Sequence, residues 1–299
     1  MALTETATAP LAPPAPPVAA PGRRTVRGLL TLVVSGASNQ VGAAIGAHAF
    51  PAIGPPGVVA VRQLVAAAVL LPTVRPPVRR YTWAQWWPVL LLGLVYGGMN
   101  LGLYTAVDRI GLGLAVTLEF LGPLAVALAG SRRWVDLLCA VAAGIGVYLL
   151  VLPGSSTDLL GVGAGLLAAC CWASYILLNR TAGRRLPGLQ ATAVASGVAT
   201  LTFLPVLGYL AVTGAFTPAA LAFAACAGLM SSVVPYALDL TALRTVPARF
   251  FGVFMSIHPV LAALAGLLIL GEVLAVHEVA GIGVVVAANV VAVASLPRR

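Results

Sequence analysis

Four ionisable side chains lie inside long apolar stretches of this chain: Arg62, Glu119, Asp239 and His258. A charge at the centre of a membrane-spanning helix costs at least ~2.5–3.5 kcal/mol unless it is paired or hydrated. Such groups mark substrate or ion pathways, or bonds that hold helices together. Glu119 stands one turn before Gly122-Pro123, and His258 stands directly before Pro259. Proline removes a backbone donor and frees a carbonyl, so exposed backbone polarity accompanies both side chains. Glu119 is the candidate for holding a proton or an amine, with a structural pair to Arg62 or His258 as the alternative. Arg62 has three options: snorkelling outward, pairing with a neighbour, or clamping a substrate carboxylate through two parallel hydrogen bonds. Asp239 lies within about one helical turn of a stretch end, which favours hydration or pairing with Arg244 over direct binding.

Uncharged polar residues gather in particular stretches: Ser35, Ser38, Asn39 and Gln40; Tyr96, Asn100 and Tyr104; Trp172, Ser174 and Tyr175; Ser231, Ser232 and Tyr236. Any one Ser or Asn is explained by an interhelical hydrogen bond worth well under ~2 kcal/mol. Their grouping points to a cavity walled by the first, third, fourth, sixth, eighth and ninth stretches, with the fifth and tenth as supports. Asn39, Gln40, Asn100, Trp172, Tyr175 and Tyr236 therefore join the four ionisable residues as candidates for substrate binding or proton coupling. Enzyme chemistry is not expected. His277-Glu278 starts a zinc motif, but Gly281 replaces the second histidine. Gly36-Ala37-Ser38-Asn39 lacks the closing glycine of a nucleophile elbow. No phosphate-binding loop is present, and Cys139, Cys170, Cys171 and Cys226 show no metal or disulfide spacing. No cofactor or metal is expected.

The elements that must position these residues follow from composition. The chain is 60% hydrophobic and 8% charged, against about 25% charged residues in soluble domains. All of its 17 basic residues are arginines, and all but Arg62 lie outside the stretches, near their ends. Arg23, Arg24 and Arg27 precede the first stretch, and Arg75, Arg79 and Arg80 follow the second. The same parity holds Arg132-Arg133, Arg180, Arg184-Arg185, Arg244, Arg249 and Arg298-Arg299, whereas the opposite parity holds only Arg109. Cytoplasmic loops collect positive charge, so both termini are expected in the cytoplasm. The net charge of +9 is thus the mark of topology and not of nucleic-acid binding. Ten spans are expected, at about 28–47, 57–74, 84–106, 111–130, 135–153, 159–178, 190–212, 219–241, 250–270 and 277–295. Tyr81, Trp83, Trp86, Trp87 and Trp134 form an inner aromatic belt, and Pro51, Pro55, Pro56 and Pro153 punctuate outer loops. Residues 1–27, rich in Ala, Pro and Thr to position 22, read as a disordered cytoplasmic tail. A cleaved leader ending near Ala47-His48-Ala49 is disfavoured by Ser38, Asn39 and Gln40 in mid-span.

An internal repeat sharpens the arrangement. Gly122-Pro123-Leu124 through Leu128 can be laid over His258-Pro259-Val260 through Leu264, without gaps back to Ala106 and Ala242. Two five-helix units follow, 28–153 and 159–295, with 296–299 as a cytoplasmic end. Five is odd, so the second unit is inverted, as in carriers that alternate access around a midplane site. The fold class is therefore an all-α integral membrane protein of ten transmembrane helices in two inverted repeats.

Three runs carry a resemblance: Leu118 to Leu128 with Arg132-Arg133 and Asp136; Cys171 to Leu177; and Val234 to Asp239 leading to Met255-Ser256-Ile257-His258-Pro259 and Leu270-Gly271-Glu272. They resemble the EamA-type drug/metabolite transporters, and most the threonine/homoserine exporter branch. The resemblance implies a bacterial inner-membrane exporter of small neutral amino acids, working as a proton antiporter with its central cavity near Glu119. Its partners would be a small-molecule substrate, protons and the bilayer. One departure stands out: His258 occupies a position where that branch usually carries Glu, exchanging an acid for a group that ordinarily titrates near neutrality. The alternative cargo is a drug or hydrophobic metabolite; a receptor or assembly subunit is the reading outside transport.

Overall fold

A computed structural model describes residues 23–129, 134–151, 158–235, 238 and 255–294. Among these residues the chain is helical with no strand. Helix α1 spans Arg23–Ala47, α2 Phe50–Val74, α3 Trp83–Ile110, α4 Leu112–Glu119 and α5 Leu121–Leu128. They are followed by α6 Trp134–Val151, α7 Leu159–Gly183, α8 Gln190–Thr202, α9 Leu204–Val212 and α10 Pro218–Gly228. Then come α11 His258–Ala265 and α12 Val276–Ala294. Two π-helical turns, Leu229–Val233 and Gly266–Leu270, extend α10 and α11.

Several boundaries differ from those expected, for local reasons. The first helix begins at Arg23 and so takes in residues 23–27, which the composition had assigned to the tail. The second begins at Phe50, and the prolines expected in a loop lie within it. Pro51 falls in the first turn, where its missing N–H costs nothing. Gly54, at φ +63°, then redirects the chain so that Pro55 and Pro56 begin a new first turn. The expected span 111–130 breaks into α4 and α5 at Phe120, and the span 190–212 bends by 48° at Phe203. Pro123 and Pro205 stand just after these breaks and cannot donate to the carbonyls of Glu119 and Leu201.

The solvent that suits this surface is apolar. On α6, Leu137, Leu138, Val141, Ile145 and Tyr148 are each more than half exposed and recur at helical spacing along one face. Helices α2, α3 and α7 are each long and apolar enough to cross a membrane, and the bent pair α8–α9 qualifies as a fourth. Helices α6 and α12 pack against each other at a glycine seam, where a Cβ on Gly281 would lie 2.7 Å from the carbonyl oxygen of Gly146. That pair flanks α4 and α5 through Leu114, Leu121, Leu124, Ile282 and Val285, consistent with a supporting role. The groove of about 390 Å³ between α5 and α6 is walled by apolar side chains such as Leu121, Leu124 and Val147, and offers a charged ligand nothing.

The other helices enclose the polar interior. Small residues let α3 approach two neighbours: a Cβ on Gly93 would strike Val198 of α8, and one on Gly102 would strike the backbone of α7 at Ala164. The largest core fills the arginine-poor half of the bundle, with Ala44, Val58, Val59, Tyr104, Ala106, Leu112, Ala115 and Ala224 essentially sealed. At the opposite end the loops after α2 and α7 meet. Tyr81 donates to Gln190, Gln85 donates to the Arg185 carbonyl, and the Arg185 guanidinium lies over Trp87.

Candidate functional site

Glu119 is the last residue of α4 and is buried. Pro123 cannot bond the Glu119 carbonyl, which leaves the helix interrupted beside the carboxylate. His258 starts α11 in the same way, with Pro259 in the first turn. The interruptions expected at both prolines are therefore present, one residue after Glu119 and one residue before His258.

A series of contacts links these two residues into a ring. His258 Nδ1 lies 3.2 Å from Gln40 Nε2. An amide nitrogen only donates, so with this amide orientation Nδ1 accepts and the ring proton sits on Nε2. The imidazole faces Phe120 at 5.5 Å between centroids, and Phe120 meets Trp172 edge-on at 4.6 Å. From Gln40 the chain continues to Asn39, whose carbonyl accepts from the Ser231 hydroxyl at 2.7 Å. The Ser231 carbonyl accepts from Arg62 at 2.7 Å, while Arg62 Nε donates to the Ser232 hydroxyl at 3.0 Å. Arg62 also donates to Tyr104 at 3.4 Å and sits over that ring. The ring closes electrostatically, because Arg62 is the charge acting on Glu119, next to Phe120.

Arg62 is 7% exposed and points inward, so the snorkelling option is not taken. Its partners are neutral oxygens, two on the π-helical turn Leu229–Val233 and the third the Tyr104 hydroxyl of α3. Neither structural pair weighed for Glu119 forms: among the described residues, no hydrogen bond or ion pair reaches its carboxylate, and the salt bridge present is Arg109–Asp158. The carboxylate is thus buried and within the field of the Arg62 cation.

Other candidates fall at varying distances from this ring. Asn100 is buried and donates to the Tyr96 carbonyl of its own helix at 2.7 Å. Tyr175 packs on Tyr96 at 5.6 Å in a separate cluster with Val89, Leu92 and Ala195. Tyr236 and Asp239 lie outside the described residues. Two groups acquire roles that their sequence positions did not announce. Ser231 and Ser232 anchor Arg62 because a π turn brings a carbonyl and a hydroxyl to one side. Glu272 reaches the start of α4, where both carboxylate oxygens accept from Leu112 N–H at 2.9 and 3.0 Å. Burial pushes the Glu272 carboxyl up, and the amides of Leu112 and Gly113 oppose that shift.

Known proteins share this sequence and this architecture. The model of the EamA-like transporter family matches residues 159–294. The threonine/homoserine exporter RhtA of Escherichia coli (strain K12) is 37% identical over 264 residues, covering 87% of this chain and 89% of that protein. RhtA of Salmonella typhimurium (strain LT2) aligns with the same identity and coverage. The uncharacterized transporter YwfM of Bacillus subtilis (strain 168) is 26% identical, over 73% of this chain and 76% of its own. A solved crystal structure superposes with a TM-score of 0.56 at 18% identity, covering 90% of this chain and 96% of that one, which is a likeness of fold. The apolar outer faces, the interrupted helices and these alignments lead to one conclusion: the chain belongs to the EamA-type membrane transporters of the drug/metabolite transporter superfamily, near the threonine/homoserine exporter branch.

Proposed function

We propose that this protein exports small neutral amino acids of the threonine or homoserine type across the bacterial inner membrane, in exchange for protons. The observation that carries the proposal is the buried Glu119 carboxylate, which has no hydrogen bond among the described residues and feels the charge of Arg62. A zwitterion needs an anion for its ammonium and a donor for its carboxylate. Glu119 supplies the first. Arg62 has five N–H groups, of which three are engaged, so two remain for the second. Because Glu119 holds either a proton or an ammonium, loading substrate releases a proton, and unloading takes one up. That exclusivity is the physical basis of antiport.

The alternation of access follows from the repeat. We assign ten spans in two inverted units, 28–153 and 159–295, with both termini cytoplasmic. Support comes from the interruptions of α4 and α11 beside corresponding prolines, and from the meeting of two arginine-bearing loops at one end. The test is uptake of threonine and homoserine into inside-out vesicles under an imposed proton gradient. Accumulation is expected in the wild type and lost in Glu119→Gln. Wild-type vesicles that accumulate neither compound would overturn the amino-acid assignment. A second reading, efflux of hydrophobic compounds, draws on Phe120 and Trp172 in the ring wall. It requires that transport survive loss of Arg62.

A further inference from the structure

Glu272 lies in the segment between the π turn Gly266–Leu270 and α12, far in sequence from the helix that it touches. Both oxygens of its carboxylate accept from Leu112 N–H, the amide that opens α4, where no earlier turn can supply an acceptor. The neighbouring charges are already committed: Glu278 accepts from Ala275 N–H at the start of α12, and Arg109 pairs with Asp158. Among the described residues, the start of α4 is therefore where this carboxylate spends its hydrogen bonds. The backbone is shaped for the contact. Gly271 and Gly111 take φ values of +69° and +82°, and a Cβ on Gly266 would lie 2.2 Å from Glu272 Oε2.

Helix α4 is eight residues long and buried throughout. One end is held by Glu272 and the other carries Glu119, about 10 Å away along the axis at 1.5 Å per residue. A short buried helix moves as a unit. Around its held end the arginine-poor half is packed tight, with Gly113 against Ala263 and Leu112 and Ala115 fully enclosed. This end is shut in the structure.

We infer that Glu272 is a positioning residue that latches the arginine-poor end closed, and that it must release the start of α4 each time the carrier opens there. The inference rests on the alternating-access reading above. It assigns the outer closure to one removable contact between α4 and the segment after α11. Loading of Glu119 at the far end of the same helix is then mechanically joined to release of the latch.

The experiment reads sidedness, not flux. Ala115→Cys, about one turn below the latch, is introduced with Cys139, Cys170, Cys171 and Cys226 changed to Ala, and intact cells are treated with a membrane-impermeant maleimide. The latched parent is expected to label slowly. Glu272→Ala should raise labelling about tenfold or more, the scale of losing a charge-assisted hydrogen bond from a two-state closure. Gly266→Ala should do the same without altering any charge, since its Cβ displaces the flexible carboxylate; Glu272→Gln, which keeps one acceptor, should fall between. Equal labelling in the parent, Glu272→Ala and Gly266→Ala would overturn the latch. Should Glu272→Ala fail to reach the membrane, Gly266→Ala decides alone. Labelling does not depend on cargo, so failure of amino-acid uptake leaves this result readable.

Discussion

A buried guanidinium with three neutral partners is a costly and specific object. Removing it leaves the Ser231 carbonyl and two hydroxyls without their donor, and hydrogen bonds to a charged group contribute about 1.5–3 kcal/mol each. Arg62→Ala is therefore expected to lower the unfolding temperature in detergent and to raise the half-saturating substrate concentration. Tyr104→Phe, which loses the 3.4 Å bond alone, should change both far less. Arg62→Lys should resemble Arg62→Ala, since one ammonium cannot reproduce a planar fork. Unfolding curves and saturation curves on the three variants separate the two effects. If Arg62→Ala keeps the wild-type half-saturation, the carboxylate-holding role is wrong. Glu119, His258 and Arg62 were legible in the sequence because ionisable groups in apolar runs are expensive. Their pairing was not legible. The choice of Ser231 and Ser232 over Glu119 as partners of Arg62 depends on a π turn, and no residue pattern marks its position.

At the scale of elements, the prolines told where helices would break but not how chains would pass through them. Pro123 and Pro259 announced the interruptions at α4 and α11. Pro51, Pro55 and Pro56 suggested a loop, yet a single glycine in the left-handed region allowed all three to sit in first turns of helix. The start of α7 shows a simpler device. Asp158 accepts from Gly161 N–H and from Arg109, each at 2.8 Å, and these bonds hold its carboxyl below the ordinary aspartate range. A depressed folded value means that the stabilisation is complete above the ordinary value and fades as pH falls through the folded one. Wild type should accordingly be more heat-stable than Asp158→Asn at neutral pH, and the gap should close as pH falls through the lowered folded value. A gap that persists unchanged into acid would show that the charge of Asp158 contributes nothing. Glu272 belongs at this scale too. The run Leu270-Gly271-Glu272 carried part of the family resemblance, but its contact with α4 arises only when two segments about half the chain apart are folded together.

Over the whole molecule, charge and apolarity divide the labour. Among the described residues, Arg75, Arg79, Arg80, Arg180, Arg184 and Arg185 stand towards one end, the largest sealed core lies at the other, and the polar ring occupies the space between. Four of the five tryptophans, Trp83, Trp86, Trp87 and Trp134, stand in the opening turns of α3 and α6, whereas Trp172 lies within α7 against Phe120. The protein therefore carries its own optical probe against Phe120, the residue after the one that we propose exchanges proton for cargo. With the other four changed to Phe, emission from Trp172 should shift when Glu119 takes up either ligand and stay flat in Glu119→Gln. Steady-state fluorescence would then measure occupancy at equilibrium, with no labelled compound and no vesicle.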